Sequence, residues 1–235
     1  MKKNKNLFWG LLLMAPLLIS GIGCQKFLDK KPLTATGDDL HQGALENNIL
    51  GIYSTFRTYS GFSELVWLDF NSIRDDDAEK GSNQTDGSEI NTSFETFQYA
   101  KSGWAPETYW NDHFTLINLA NAALDSSQTF TDPASLRNIG EACFFRALSY
   151  FDLVKAYGEV PLINYKVVNP ADGIRPKSPV DVIYAFIDSN LQVAAQNLPL
   201  NASDYGSGYE GRLTKGAANT LWRRLICSVS NGQTL

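Results

Sequence analysis

Apolar residues recur every three to four positions along most of the chain, with polar residues between them. This period is that of an amphipathic α-helix. With 235 residues, of which 43% are hydrophobic, the chain is long enough to bury a core in one or two domains. The pattern predicts five helices, at residues 37–58, 106–127, 133–157, 179–198 and 215–226. The protein is therefore expected to be mainly all-α.

Residues that favour helix ends bound these segments. Asp132 is a capping residue placed before a proline, and Gly158 suits the end of the same helix. A capping box is predicted at 178–181, and residues 36–39 are expected to begin the first helix. Thr214 is expected to cap the fifth helix.

The third predicted helix, 133–157, is apolar on almost every side, so both of its faces are expected to be buried. Ala142 and Ala147 would let a neighbouring helix come close. Small and aromatic residues alternating along such a seam are typical of tetratricopeptide repeats. Because the consensus of about 34 residues is absent, the expected architecture is degenerate tetratricopeptide-like helix pairs joined by long loops.

Two segments between the first and second helices do not follow the helical period. Residues 62–73 (FSELVWLDFNSI) are apolar and mixed, and we predict short extended structure there. Residues 74–93 are almost wholly polar and contain glycine, which predicts a surface loop.

The N-terminus has the layout of a secretory signal peptide. A basic start, MKKNKN, precedes an apolar run at 7–19, which is shorter than the about 20 residues that a spanning helix needs. Small residues then lead to Cys24. This order predicts a lipoprotein signal at 1–23, cleaved before an acylated Cys24, and a lipid-anchored tether at 24–36. The alternative is an ordinary signal peptide with a coincidental cysteine.

Charge and the scarcity of histidine and cysteine exclude several classes of function. The formal net charge is −5, and removal of residues 1–23 with their three lysines would leave −8. Such acidity argues against nucleic-acid binding, which needs clustered Lys and Arg. Two histidines and three scattered cysteines show no metal-ligand spacing, so neither a metal site nor a Cys–His centre is expected. Cys143 is predicted to be a small buried hydrophobe.

Residues 140–163, GEACFFRALSYFDLVKAYGEVPLI, resemble the signature of SusD/RagB-type outer-membrane lipoproteins of Bacteroidetes. Among the matching positions are Glu141, Arg146, Tyr150, Tyr157, Gly158 and Pro161. Five further segments lie in the family's order: CQKFLDKKP, ALENNILGIYSTF, NLANAAL, VIYAFIDSNLQVAAQNLP and RLTKGAANTLWRRL. The resemblance covers residues 24–226.

Two polar residues of this signature sit in an otherwise apolar helix. Glu141 and Arg146 are five residues apart, so they do not stack on one helix face. We expect them to satisfy buried polar groups or neighbouring helices instead. The signature is therefore predicted to be architectural and not to contact a ligand.

The resemblance implies that a SusD-like α–α superhelix occupies residues 37–226. It also implies a function in which a lipid-anchored protein at the cell surface cooperates with a TonB-dependent, SusC-like transporter of the outer membrane. Such a protein captures glycans, or else peptides, for import. No bond is broken in this task, so neither catalytic residues nor cofactors are expected. The alternative is a helical-repeat scaffold that binds only protein partners, without a small ligand.

Two groups of residues are candidates for ligand binding. The aromatic side chains of Trp67, Tyr99 and Trp104 lie outside the strongest helical stripes, and flat aromatic faces suit stacking on sugar rings. Asp75 and Asp77 lie in an acidic stretch that roughly matches an Asp-containing segment of the family. The alternatives are that the aromatic residues are core packing and that the acids are a solvated surface.

The same acidic stretch raises two other chemistries. Lys80 stands where an EF-hand loop requires glycine, so a calcium loop of that type is not predicted. Paired carboxylates also occur in glycosidases, which leaves a carbohydrate-active enzyme as a third hypothesis.

The end of the chain departs from the family, whose members are normally about twice this length. Residues 227–235, CSVSNGQTL, are expected to form an atypical polar tail in place of an apolar continuation of the fifth helix. This departure predicts a truncated or frameshifted form, in which the fifth helix lacks part of its packing partner and leaves apolar surface exposed.

Overall fold

The structure is a computed structural model that describes residues 45–79, 81, 89–127 and 129–230. The predicted signal at 1–23, Cys24, the tether at 24–36 and the helix start at 36–39 lie outside these residues, as do Lys80 and 231–235. All of the described residues belong to one unit of the chain, residues 40–235.

The described chain forms eight α-helices and one two-stranded sheet. The helices are α1 (Glu46–Thr58), α2 (Ser60–Ser63), α3 (Leu65–Leu68), α4 (Glu89–Glu95), α5 (Trp104–Ser126), α6 (Pro133–Tyr157), α7 (Val180–Asn197) and α8 (Lys215–Ser230). A π-helical turn (Asp69–Ile73) follows α3, and 3₁₀ turns lie at Pro170–Gly173 and Ala202–Tyr205. The antiparallel sheet pairs β1 (Val160–Pro161) with β2 (Lys177–Ser178). The prediction of a mainly all-α fold is confirmed.

Both ends of α6 lie where the sequence predicts them. The Asp132 side chain accepts a hydrogen bond from the Ser135 amide at 2.9 Å, and Pro133 occupies the first helical position. At the other end Gly158 has a φ of +70°, a backbone conformation that side chains disfavour, and its amide donates to the Val154 carbonyl oxygen. Local sequence alone therefore sets the length of this helix.

Two other predicted helix starts are wrong in detail. Helix α5 begins at Trp104, two residues before Pro106, because a proline is tolerated anywhere among the first residues whose amides have no intrahelical partner. The capping box at 178–181 does not form. Ser178 pairs with Val160 in the sheet, and Pro179 takes the capping position of α7 without a side-chain hydrogen bond.

Two predictions of non-helical structure are also wrong, and part of the predicted tail is helical. Residues 62–73 form helical turns instead of extended structure, because Val66, Phe70 and Ile73 are buried together at helical spacing. Helix α4 occupies the end of the predicted loop 74–93, with Phe94 packed into the same apolar cluster. Helix α8 continues to Ser230, so the first residues of the predicted tail 227–235 are helical.

Helix α6 lies at the centre of the fold and packs between α5 and α7. Its contacts with α5 pair residues in opposite order: Tyr157 with Pro106, Asp152 with His113, and Arg146 with Asn121. Its contacts with α7 do the same: Arg146 with Asn190, and Tyr150 with Phe186. Each neighbour is therefore antiparallel to α6. The prediction that both faces of this helix are buried is confirmed.

The apolar core has two parts. The larger cluster joins α1, α5, α6, α7 and α8, and includes Cys143, which is buried as predicted and whose pKa burial raises to about 11. The smaller cluster joins the turns around 66–73 to α4 and α5. This second cluster fixes the π-helical turn against the side of α5.

A buried ionic cluster links three distant parts of the chain. The Arg212 guanidinium pairs with Glu46 at the start of α1 and with Glu141 of α6. Tyr53 of α1 donates a hydrogen bond to the Glu141 carboxylate at 2.7 Å, and its hydroxyl accepts one from the Leu213 amide. Burial raises the pKa of Glu141, against the opposing effect of Arg212. The cluster therefore holds the segment before α8 against α1 and α6.

Candidate functional site

The Arg146 side chain ties α6 to both neighbouring helices. Its guanidinium donates to the Asn190 Oδ1 atom at 2.6 and 2.8 Å and to the Asn121 Oδ1 atom at 2.8 Å. Asn121 in turn donates to the carbonyl oxygens of Ile163 and Tyr165 at 3.0 and 2.9 Å. Burial lowers the pKa of Arg146. This residue thus positions the chain that follows β1.

The other residues of the signature also contact protein groups. The Tyr150 hydroxyl donates to the Ile163 carbonyl oxygen at 3.0 Å and accepts from the Ile163 amide at 2.7 Å. The Tyr157 hydroxyl donates to the Pro106 carbonyl oxygen at 2.7 Å, and Pro161 lies in β1. These contacts account for the signature as architecture. That its residues do not touch a ligand stays a prediction.

A cavity of about 410 Å³ lies where the π-helical turn faces α6, α7 and α8. Its lining combines aromatic rings with charged, amide and hydroxyl groups. The lining residues are Phe70, Asn71, Arg74, Asp75, Tyr109, Asp152, Lys155, Ala156, Tyr184 and Ser228. We call it the polar cavity. A concave site with aromatic walls and a few convergent polar groups is the usual form of a small-ligand site.

Stacked rings form one wall of the polar cavity. Phe70 and Tyr109 lie nearly parallel, with centroids 4.2 Å apart. The Asn71 amide nitrogen donates to the Trp67 carbonyl oxygen at 3.1 Å and contacts the Tyr109 hydroxyl at 3.4 Å. Tyr184 adds a phenol from α7, and burial raises its pKa, so its hydroxyl stays protonated as a donor.

Four charged side chains line the polar cavity without pairing with one another. Arg74 donates to the Tyr99 hydroxyl at 3.1 Å and lies 5.3 Å from the centre of the Phe70 ring. Among the described residues, no ion pair joins either cation, Arg74 or Lys155, to Asp75 or Asp152. The charge of Lys155 and part of the Arg74 guanidinium therefore remain for a ligand. Across the described ranges, no three His, Cys, Asp or Glu side chains converge closely enough to hold a metal ion.

The π-helical turn beside this cavity contains a buried, unpaired carboxyl group. Asp69 is fully buried, and neither carboxylate oxygen has a hydrogen-bond partner among the described residues. Burial raises its pKa to about 6. A π-helical turn is an uncommon element that often occurs at functional sites.

We expect Asp69→Asn to be more stable than the wild type above pH 7. The pKa of Asp69 is higher in the folded than in the unfolded state, so protonation stabilises the fold below about pH 4 and this contribution is lost as pH rises through 6. The variant should exceed the wild type by roughly 1–3 kcal/mol in free energy of unfolding at pH 7.5, and the difference should shrink towards pH 4. Urea unfolding at several pH values measures this.

The matched control is Asp125→Asn, at an exposed position of α5. We expect the free energy of unfolding of this variant to change between pH 4 and pH 7.5 by the same amount as that of the wild type. Equal stability of wild type and Asp69→Asn across this pH range would contradict the assignment of a raised pKa to Asp69.

The structure brings together only part of the predicted ligand-binding set. Asp75 lines the polar cavity, and Tyr99 reaches it through its hydrogen bond with Arg74, with its ring stacked 4.3 Å from Phe94. Asp77 is exposed and does not line this cavity. The Trp67 side chain is half-buried and contributes only its carbonyl oxygen to Asn71, while Trp104 is 54% exposed at the start of α5.

Sequence reasoning missed the residues that complete the polar cavity. Lys155 and Asp152 lie on α6, Tyr184 on α7 and Ser228 on α8. Each has a half-buried position on a helix that also contributes residues to the core, and this gives no local signal of function. Ser228 falls in the predicted tail, so only the continuation of α8 brings it to the cavity.

A second, more apolar groove of about 650 Å³ lies between α5 and the chain from Pro161 to Ile174. Trp110 and Phe114 of α5, with ring centroids 4.8 Å apart, form one side of it. Ile174, which is 81% exposed, and Pro161 lie on the other side. We call it the apolar groove.

Comparison with known proteins decides the family. Residues 26–225 match the family model SusD-like, described as starch-binding and associating with the outer membrane. The chain belongs to the SusD-like family. The resemblance to SusD/RagB proteins is thereby confirmed, as is the SusD-like helical fold. Within the described residues, no helix has both the length and the apolar character that crossing a bilayer requires.

Several SusD-like relatives are similar over most of this chain. A SusD-like protein of Formosa agariphila, P2, is 27% identical over 192 residues, which are 78% of this chain and 37% of the relative. A SusD-like protein of Bacteroides ovatus is 30% identical over 152 residues, 60% of this chain and 26% of the relative. The chain thus spans well under half the length of these relatives.

Solved structures show the same fold. A laminarin-binding SusD-like protein is 27% identical with a TM-score of 0.67, and the match covers 80% of this SusD-like chain and 40% of that one. A protein solved with a xylogluco-oligosaccharide has a TM-score of 0.58 at 24% identity, and the match covers 78% of this chain and 34% of that one. The similarity to the protein solved with the xylogluco-oligosaccharide shows only a shared fold.

Proposed function

We propose that this SusD-like protein binds glycans at the cell surface and holds them in the polar cavity. The observation that carries the proposal is one concave site of the described structure in which aromatic rings lie beside charged side chains that are not paired with one another. Aromatic faces pack against the apolar faces of sugars, and amide, hydroxyl and carboxylate groups bond their hydroxyls. Membership of a family described as starch-binding supports the same ligand class.

The proposal also states where the protein is located and which protein it cooperates with. Cys24 is the lipid anchor in the outer membrane, and residues 24–36 are the tether. A TonB-dependent, SusC-like transporter receives the captured glycan. The lipoprotein signal at 1–23 and the family's description as associating with the outer membrane support this part. The protein transfers no group and breaks no bond, since its task is to bind.

Within the polar cavity, Asp75 and Tyr184 are the proposed direct contacts with sugar. Trp104, whose indole is exposed on α5, is proposed as a separate stacking surface, and Tyr99 as a support for Arg74. Trp67 and Asp77 remain as contacts for the more distant parts of a long glycan.

We expect Tyr184→Ala to weaken oligosaccharide binding about fivefold, because one stacked aromatic contact contributes on the order of 1 kcal/mol. Calorimetric titration of the full chain in detergent, with neutral gluco- and xylogluco-oligosaccharides and with acidic oligosaccharides, measures the dissociation constants. Tyr184→Phe keeps the ring and should retain most of the affinity. Tyr59→Ala, at an exposed position outside the cavity, is the matched control.

Loss of affinity in Tyr184→Ala beyond that in Tyr59→Ala would support the polar cavity as the glycan site. Equal affinities of these two variants for the oligosaccharides would show that the polar cavity is not the glycan site. Trp104→Ala in the same titration tests whether the exposed indole adds a second contact.

A second candidate function is a scaffold that binds only protein partners. The apolar groove favours it, because Trp110, Phe114 and Ile174 present apolar surface that a polypeptide would cover. Failure of every oligosaccharide to bind, together with co-purification of a transporter barrel with the full chain, would support the scaffold over the glycan-binding protein.

A further inference from the structure

The polar cavity places two cations beside two carboxylates in a protein that is acidic overall. The chain carries a formal net charge of −5, yet Arg74 and Lys155 line the same cavity. Arg224 of α8 does not line the cavity, but its guanidinium carbon and the Lys155 Nζ atom lie 5.7 and 5.5 Å from the centre of the same Phe151 ring. Two cations from two elements therefore line the cavity, and a third lies near Lys155.

These cations are only partly neutralised. In the part of the chain that the structure describes, Lys155 makes neither a hydrogen bond nor an ion pair, and the buried Arg74 Nε atom has no acceptor. Burial lowers the pKa of Lys155, Asp152 opposes this, and the positive charges of Arg224 and Arg74 lower it further. An anion in the cavity would offset this repulsion and supply an acceptor for the Lys155 ammonium.

The two carboxylates of the cavity do not fill this role. The Asp152 Oδ2 atom lies 3.6 Å from the buried His113 Nε2 atom, and so faces α5 as well as the cavity. Asp75 is exposed, and among the described residues it forms no ion pair with Arg74. A negative group in the cavity would therefore meet two cations, Arg74 and Lys155, with which neither carboxylate forms an ion pair among the described residues.

We propose that the polar cavity is a subsite for the anionic group of an acidic sugar, either the carboxylate of a uronic acid or a sulfate ester. The inference rests on the proposed glycan-binding function and specifies its ligand class. The planar guanidinium of Arg74 can donate two parallel hydrogen bonds to a carboxylate or to a sulfate ester. The Lys155 ammonium adds a compact positive charge. Asn71 remains to bond a hydroxyl of the same sugar, and the Tyr184 ring to pack against its apolar face.

Calorimetric titration of the full chain in detergent tests this with four probes: tetragalacturonate, a sulfated galactan tetrasaccharide, a neutral glucotetraose and inorganic sulfate. We expect the wild type to bind at least one of the acidic tetrasaccharides about tenfold or more tightly than the neutral one. Raising NaCl from about 50 to about 500 mM should weaken acidic binding and leave neutral binding unchanged, because salt screens charge.

Lys155→Met keeps the apolar stem and should weaken acidic binding at least tenfold, whereas Lys155→Arg should retain it. Arg74→Gln, on a different element, should act in the same direction. Lys166→Met, at an exposed position outside the cavity, is the matched control. The two acidic probes separate a carboxylate from a sulfate ligand.

Equal affinity for acidic and neutral tetrasaccharides would overturn this inference and leave the proposed function standing. Equal weakening of acidic-tetrasaccharide binding by Lys155→Met and by Lys166→Met would also overturn the inference. Inorganic sulfate binding as tightly as the sulfated tetrasaccharide would show a free-anion site and contradict a glycan subsite. Failure of all three tetrasaccharides to bind would overturn the proposed function together with the inference.

Discussion

Replacement of Arg212 by Met should lower the free energy of unfolding by about 3–5 kcal/mol. The substitution removes the cation that pairs with Glu46 and Glu141, and both carboxylates are almost inaccessible to water. Two buried negative charges would then face each other without compensation. Since small domains are stable by only about 5–15 kcal/mol, this variant should be close to unfolding at 37 °C.

Urea unfolding, followed by circular dichroism, measures the loss. Arg223→Met, at an exposed position of α8, makes the same chemical change and should alter stability by less than about 0.5 kcal/mol. Adding Glu46→Gln and Glu141→Gln to Arg212→Met removes the uncompensated charges and should recover part of the loss. A midpoint for Arg212→Met equal to that of Arg223→Met would contradict a structural role of the cluster.

Replacement of Cys24 by Ser should move the protein almost completely from the membrane to the soluble fraction. In the proposed lipoprotein, the Cys24 thiol carries acyl chains, and a hydroxyl at this position is not a substrate for that modification. Several alkyl chains give stable anchoring, whereas the protein surface alone does not. Fractionation after a high-salt wash, with detection of the folded protein in each fraction, measures the shift.

The control for this experiment is Cys227→Ser, because Cys227 is exposed on α8. We expect this variant to stay in the membrane fraction, which would show that the loss of a thiol alone does not release the protein. Retention of Cys24→Ser in the membrane after the wash would refute the lipid anchor.

Local sequence predicted the long helices well, and α6 shows why. Its ends depend on Asp132, Pro133 and Gly158, whose effects are confined to one helical turn. Its burial on both faces follows from apolar residues at every side of the helix. Features of this kind need no knowledge of distant residues.

The errors concern short segments whose neighbours decide their conformation. A twelve-residue apolar segment such as 62–73 has no unambiguous period, and its burial against α5 selects helical turns. Helix α4 has seven residues, which is too few to be stable alone, and Phe94 stabilises it only through the smaller cluster. Ser178 pairs with β1 and therefore does not cap α7.

The same distinction applies to the candidate site. Asp75 was predictable because it lies in an acidic stretch, and Glu141 and Arg146 because they interrupt an apolar helix. Their partners were not predictable. Arg212 lies 71 positions from Glu141 along the chain, and no periodicity relates two such residues.

The sequence by itself determined the helical class, the family and the long helices, because each shows in motifs of residues that are close together in the chain. The lipoprotein signal stays a prediction. Only the tertiary structure decided that Arg74, Lys155 and Tyr184 share one cavity. These residues lie on the π-helical turn, α6 and α7, and the packing of those elements around α6 brings them together. A ligand contacts side chains that are near in space, so the site became visible only in the folded chain.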